Sequence, residues 1–89
     1  MRAVISVTGK DNMGIIAKVS SLCAQHGANI LDVSQTILEE YFVMIMLTDI
    51  SKLDVGFTRF ADVLDALAEE NNLKIHAMHE DIFDSMHRV

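Results

Sequence analysis

Gly9-Lys10-Asp11-Asn12-Met13-Gly14 is a polar, glycine-bracketed segment lying between two different hydrophobic periods. Upstream, Ala3, Ile5 and Val7 alternate with Val4, Ser6 and Thr8, the period of a strand with one apolar face. Downstream, Ile15, Ile16, Val19, Leu22 and Cys23 form the stripe of a helix lying on a core. The segment is therefore a turn at a helix N-terminus, where free N–H groups and a Cα without a side chain give a ligand access to the backbone.

Working outward from this turn, His26 near the helix C-terminus suits the helix dipole, and Gly27 can take the left-handed conformation that closes helices. From Asn29 to Leu38, the residues Leu31, Val33 and Ile37 alternate with Asp32, Ser34 and Thr36, which predicts a second strand with one buried face, interrupted by Gln35. Glu39 and Glu40 make an acidic turn. Tyr41 to Leu47 follows as a nearly unbroken apolar run, which predicts a strand buried on both faces. Ser51 to Asp54 reads as a helix entry with Ser51 or Asp54 as N-cap, followed by the stripe Phe57, Phe60, Ala61, Leu64, Leu67 and Ala68. Asn71 and Asn72 end this helix, and Leu73, Ile75 and Ala77 alternate with Lys74, His76 and Met78 as a fourth strand. Beyond Met78, Ile82, Phe83 and Met86 cluster on one face of a short helical tail, acidic at its start and basic at its end.

The order strand, helix, strand, strand, helix, strand, without proline or linker, predicts an α+β, ferredoxin-like βαββαβ sandwich. Its four-stranded antiparallel sheet would carry both helices on one face. Residues 1–78 form the domain and 79–89 an amphipathic helical extension. The apolar run from Tyr41 to Leu47 then needs a cover on the other face: the tail, a second subunit, or both. A chain of 89 residues buries only about 60% of its unfolded surface, so a homodimer is expected.

Composition narrows the function. Thirteen acidic residues against seven basic ones, net charge −6, oppose the phosphate contacts of nucleic-acid binding. The early apolar run is too short for a secretory or membrane-spanning segment, which points to the cytoplasm and away from a membrane. The single cysteine, Cys23, excludes an internal disulfide or a CxxC site and reads as a core side chain. No nucleophile, base and orienting group stand in a recognisable spacing, so no enzyme is expected and no cofactor is implied. His76 and His79 raise a metal question, but positions three apart on a strand face opposite ways, and no metal site is expected. Met44 and Met46 belong to a core strand. The turn has the stronger chemistry: the helix start can hold a carboxylate and Asp11 can accept from an ammonium, which together suit a zwitterion. The plainer alternative is that Asp11 or Asn12 only caps the helix.

The stretches V-x-G-K-D-N-M-G-I-I-A-K-V, L-C-A-Q-H-G-A-N-I-L-D-V-S-Q-T and Y-F-V-M-I-M-L together resemble an ACT domain. The likeness is to the small stand-alone type similar to the ACT halves of the glycine cleavage system repressor, over about residues 2–78. The resemblance implies a ferredoxin-like regulatory module that pairs and binds a small amino acid or related metabolite. It implies that Asp11, Asn12, Met13, Gly14 and Ile15 line the ligand site. Asn29 and Ile30 would form a second contact segment, commonly presented by the neighbouring subunit. Many members carry proline where Met13 stands here. Lacking any output unit of its own, such a module would relay its signal to a regulated partner protein. The rival reading is a ligand-free adaptor that docks through the exposed sheet face and the tail.

Overall fold

The computed structural model describes residues 1–10 and 13–86. The elements are β1 (Arg2–Gly9), α1 (Ile15–Gln25), β2 (Asn29–Leu38), β3 (Tyr41–Asp49), α2 (Phe57–Glu70), β4 (Lys74–His79) and α3 (Glu80–Met86). All strand pairs are antiparallel, in the order β2-β3-β1-β4. This is the ferredoxin-like βαββαβ fold, with a third helix at the C-terminus.

Alternation decides the core. Ala3, Ile5 and Val7 of β1, with Phe42, Met44 and Met46 of β3, face the helices and are buried against Ile15, Val19 and Cys23 of α1 and Phe60, Leu64 and Ala68 of α2. Thr48, the one buried polar side chain among the described residues, donates its hydroxyl to the Ala3 carbonyl at 3.1 Å. Its polarity therefore costs the core little.

The helix ends follow from backbone geometry. Gly27 is left-handed at φ +80°, and Ala28 N–H donates to the Cys23 carbonyl at 2.9 Å, the paired closure of a Schellman end. Asn72 repeats it at the end of α2, with φ +55° and Leu73 N–H donating to the Ala68 carbonyl at 2.9 Å.

Four sequence expectations need correction. β3 is buried on one face only: Val43 and Ile45 are 36% and 39% exposed, because helices α1 and α2 cover a single face and the other stays open over this strand. β2 has no fully buried face. Val33 and Ile37 sit in register with the core residues Met46 and Phe42, yet the helix layer stops short of this edge strand and leaves both exposed. Neither Ser51 nor Asp54 caps α2; its N-cap is the extended Gly56. Asp54 is occupied by His26, whose Nδ1 lies 2.9 Å from its carboxylate, and Ser51 N–H donates to Asp49 at 2.9 Å. These contacts carry residues 51–55 across the end of α1 before the helix can start. In α3, Phe83 is half-buried while Ile82 and Met86 are exposed, so the three do not pack as one face. The expected basic end of the tail, His87 and Arg88, lies outside the described residues.

Candidate ligand site

The turn that opens α1 is shaped by two glycines with different reasons to be glycine. A Cβ on Gly9 would stand 2.6 Å from Leu73 Cδ2 and 3.1 Å from Phe42 Cε1, so a side chain at the end of β1 would have to push these two side chains aside. Gly14 is the N-cap of α1, left-handed at φ +71°, and among the described residues nothing lies within 4 Å of where its Cβ would be. The first glycine answers packing, whereas the second leaves an open approach to the backbone. The cap position falls on Gly14 and not on Asp11 or Asn12, two expected site residues that lie outside the described residues.

Helix α1 starts without a side-chain cap among the described residues and without an acidic residue in its first turn. The N–H groups of a first turn and the positive end of its dipole are the features by which a helix start can hold an anionic group. Met13 is exposed beside Gly14, Ile15 anchors the helix in the core, and Ile16, expected on the apolar stripe, is 45% exposed. Lys10 is drawn away from the helix: its Nζ lies 5.6 Å from the centre of the Tyr41 ring.

Asn29 and Ile30 start β2 at the far end of α1. They line an open hollow of about 410 Å³ with Ser20, Ala24, Gly27 and Ala28. Eleven residues of helix rise about 16 Å. Within one chain, therefore, Met13, Gly14 and Ile15 come together, Asn29 and Ile30 come together, and the two groups stand apart. Ser20 and Ala24 escaped the sequence reading; their spacing from Ile16, four and eight residues on, marks one row of α1 and was the available signal.

Among the described residues, the histidines and the cysteine do not gather around the turn. His79 stacks on Phe57 with ring centres 4.3 Å apart, while His76 is exposed on the opposite sheet face, so strand geometry separates the two imidazoles. Among the described residues no group of three or more His, Cys, Asp or Glu side chains is placed to hold a metal. Cys23 is buried, and desolvation pushes its thiol up to about 11, which leaves little nucleophilic thiolate near neutral pH. No helix among the described residues is long and apolar enough to cross a membrane.

Residues 2–78 match the model of the ACT domain. A UPF0237 protein of Clostridium perfringens is 47% identical over 89 residues, covering all of both chains. An ACT domain protein from Streptococcus pneumoniae superposes with a TM-score of 0.82 at 40% identity, covering 94% of each chain. A putative glycine cleavage system transcriptional repressor superposes with a TM-score of 0.71 at 28% identity, over 86% of this chain and 44% of that one. By sequence and by fold, the chain belongs to the ACT domain family of regulatory domains.

Proposed function

We propose that the protein is a stand-alone regulatory module, without catalytic activity, that binds a small amino acid or related metabolite at a homodimer interface. It would work in the cytoplasm and relay the ligand's presence to a partner protein. The ligand site would combine Asp11, Asn12, Met13, Gly14 and Ile15 of one protomer with Asn29 and Ile30 of the other.

The observation that carries this reading is the exposed edge of β2. Ten residues long, β2 is an edge strand that among the described residues pairs only with β3, which leaves one row of backbone donors and acceptors for another strand. A centred antiparallel pairing of β2 with its copy sets Asn29 beside Leu38 of the partner subunit. Leu38 pairs with Tyr41, one step beyond the pair Gly9 and Phe42, at the sheet end where the turn leaves β1. Pairing would thus bring together the two segments that one chain keeps apart. Val33 and Ile37, exposed on the helix side of β2, would gain apolar neighbours by the same step.

Ligand binding would then favour pairing, by as much as the ligand's affinities for paired and unpaired chains differ. Mixing variants tests the shared site. Asp11→Ala and Asn29→Ala should each abolish amino-acid binding measured by calorimetry. An equimolar mixture should recover binding in the hybrid dimers, where one site carries both lesions and the other none. A mixture as silent as its components would sink the composite site.

A further inference from the structure

The outer face of the sheet, away from α1 and α2, is covered at one end only. Among the described elements α3 packs against β1 and β4 and against no other, where β1 begins and β4 ends. Arg2 binds Glu80 there through Nε to Oε1 at 3.0 Å and Nη2 to Oε2 at 2.6 Å. Burial follows the helix. Val4, placed on the outer face by alternation, is 6% exposed, and its register partners Met78 and Leu47 are half-buried. Farther along the same strands no described element lies over the face: His76 and Lys74 of β4 are exposed, as are Tyr41, Val43 and Ile45 of β3.

The hold on this helix is slight. Seven residues make too short a helix to persist alone in water, so α3 depends on its seat. Of its apolar side chains, Phe83 is half-buried and Ile82 and Met86 are exposed. The ion pair is also easy to part, since the side chains of Arg2 and Glu80 are 47% and 26% exposed and such pairs contribute little net attraction. Parting leaves neither charge stranded. Glu80 meets water, and Arg2 keeps Asp49 opposite it on β3.

We propose that α3 is a releasable strap on the outer sheet face. Closed, it is latched by Arg2 and Glu80 and lies over Val4 and Met78. Open, it bares this row, so that the exposed apolar patch of Tyr41, Val43 and Ile45 extends through Leu47 to β1 and β4. Burial of Val4 and Met78 favours the closed form, and the latch fixes where the helix seats. A short helix with this little burial has few contacts to break at once, which places its opening among local rather than global unfolding events. The device is autoinhibitory in form: the apolar surface of the sheet is complete only in the open chain, and the closed chain withholds the part that α3 covers. It acts within one chain and does not depend on a ligand at the turn.

Methionine oxidation by dilute hydrogen peroxide, read at each site by mass spectrometry at low conversion, tests this in the full chain. Met78 lies in the covered row and Met86 is exposed, while Met44 and Met46 are fully buried in the core and report on global unfolding. Glu80→Arg sets base against base at the latch and changes no strand residue. It should raise the Met78 rate about threefold, the order of what a partly exposed ion pair contributes, with Met44 and Met46 still protected. Arg2→Glu should do the same. The double variant, Arg2→Glu with Glu80→Arg, restores the pair with its signs exchanged and should return Met78 to the wild-type rate. An unchanged Met78 rate in Glu80→Arg would overturn the proposal, because α3 would then be a fixed part of the fold. Acceleration of Met44 and Met46 in Glu80→Arg would overturn it too, since the opening would then be global. A double variant as fast as its parents would overturn the latch.

Discussion

Gly27 faces the carbonyl oxygen of Lys52 so closely that a Cβ on Gly27 would overlap it. The same glycine is left-handed at φ +80° and closes α1 immediately before Asn29 begins β2. Asp54 N–H, two residues beyond Lys52, donates to the His26 carbonyl at 2.9 Å. This close approach fixes the end of α1 against the loop that leads to α2.

Gly27 and Gly14 separate strain from overlap. Both have positive φ, but only Gly27 has backbone where a side chain would go. Gly14→Ala should cost about 1–2 kcal/mol, the strain of a left-handed residue with a Cβ. Gly27→Ala should cost more, because the Lys52 segment must also move. Urea unfolding of the two variants checks the order; equal losses would mean that the loop gives way freely.

The Arg2 and Glu80 pair ties the tail to the first strand, and Glu80 raises the Arg2 pKa above its ordinary value through their hydrogen bond and charge. Both groups are partly exposed, so the pair should fix the position of α3 more than it stabilises the domain. Arg2→Ala should speed amide exchange in residues 80–86 with little change in melting temperature. Unchanged exchange there would show that packing alone holds α3.

Cys23 links burial to alkaline stability. Its thiol is pushed up to about 11 in the folded chain, from an ordinary value near 9.0, because burial disfavours the thiolate. The folded state therefore holds its proton where the unfolded chain loses one. This contribution is fully present below about pH 9 and is lost as pH rises toward 11. Cys23→Ala should flatten that part of the stability profile, and native Cys23 should resist a thiol reagent at pH 8 until the protein unfolds.

Asp49 gives the opposite sign. The Ser51 hydroxyl and backbone N–H hold its carboxyl below the ordinary carboxylate value. Its contribution is present above the unfolded pKa and is lost as pH falls through the folded one. Ser51→Ala should return the Asp49 titration, followed by carboxyl NMR, toward the ordinary value.

Much of this fold was legible because alternation and helical stripes report on burial directly. β1, α1 and β4 read correctly from Ala3, Ile5 and Val7, from Val19 and Cys23, and from Leu73 and Ile75. The errors share a physical cause. An unbroken run such as Tyr41 to Leu47 states hydrophobicity without stating how many layers cover it, so Val43 and Ile45 looked buried. Likewise Val33 and Ile37 alternate properly, but their exposure depends on β2 lying at the edge, which pairing order decides and periodicity does not. At the candidate site, the glycine turn was visible from composition. Its distance from Asn29 along α1 follows only once both ends of the helix are placed, and Ser20 and Ala24 became visible with the hollow they line.

The central claim is that a small amino acid is bound by the turn and Asn29 of paired chains. The most direct test is the melting temperature with each of the twenty amino acids at millimolar concentration. A ligand at about 100 times its dissociation constant adds roughly 2.7 kcal/mol, a large shift for a domain of this size. The account predicts a rise selective for one or a few small amino acids, lost in Asp11→Ala and in Asn29→Ala. No rise with any of the twenty, or one that survives both substitutions, would contradict it and favour an adaptor that works through its sheet face and tail.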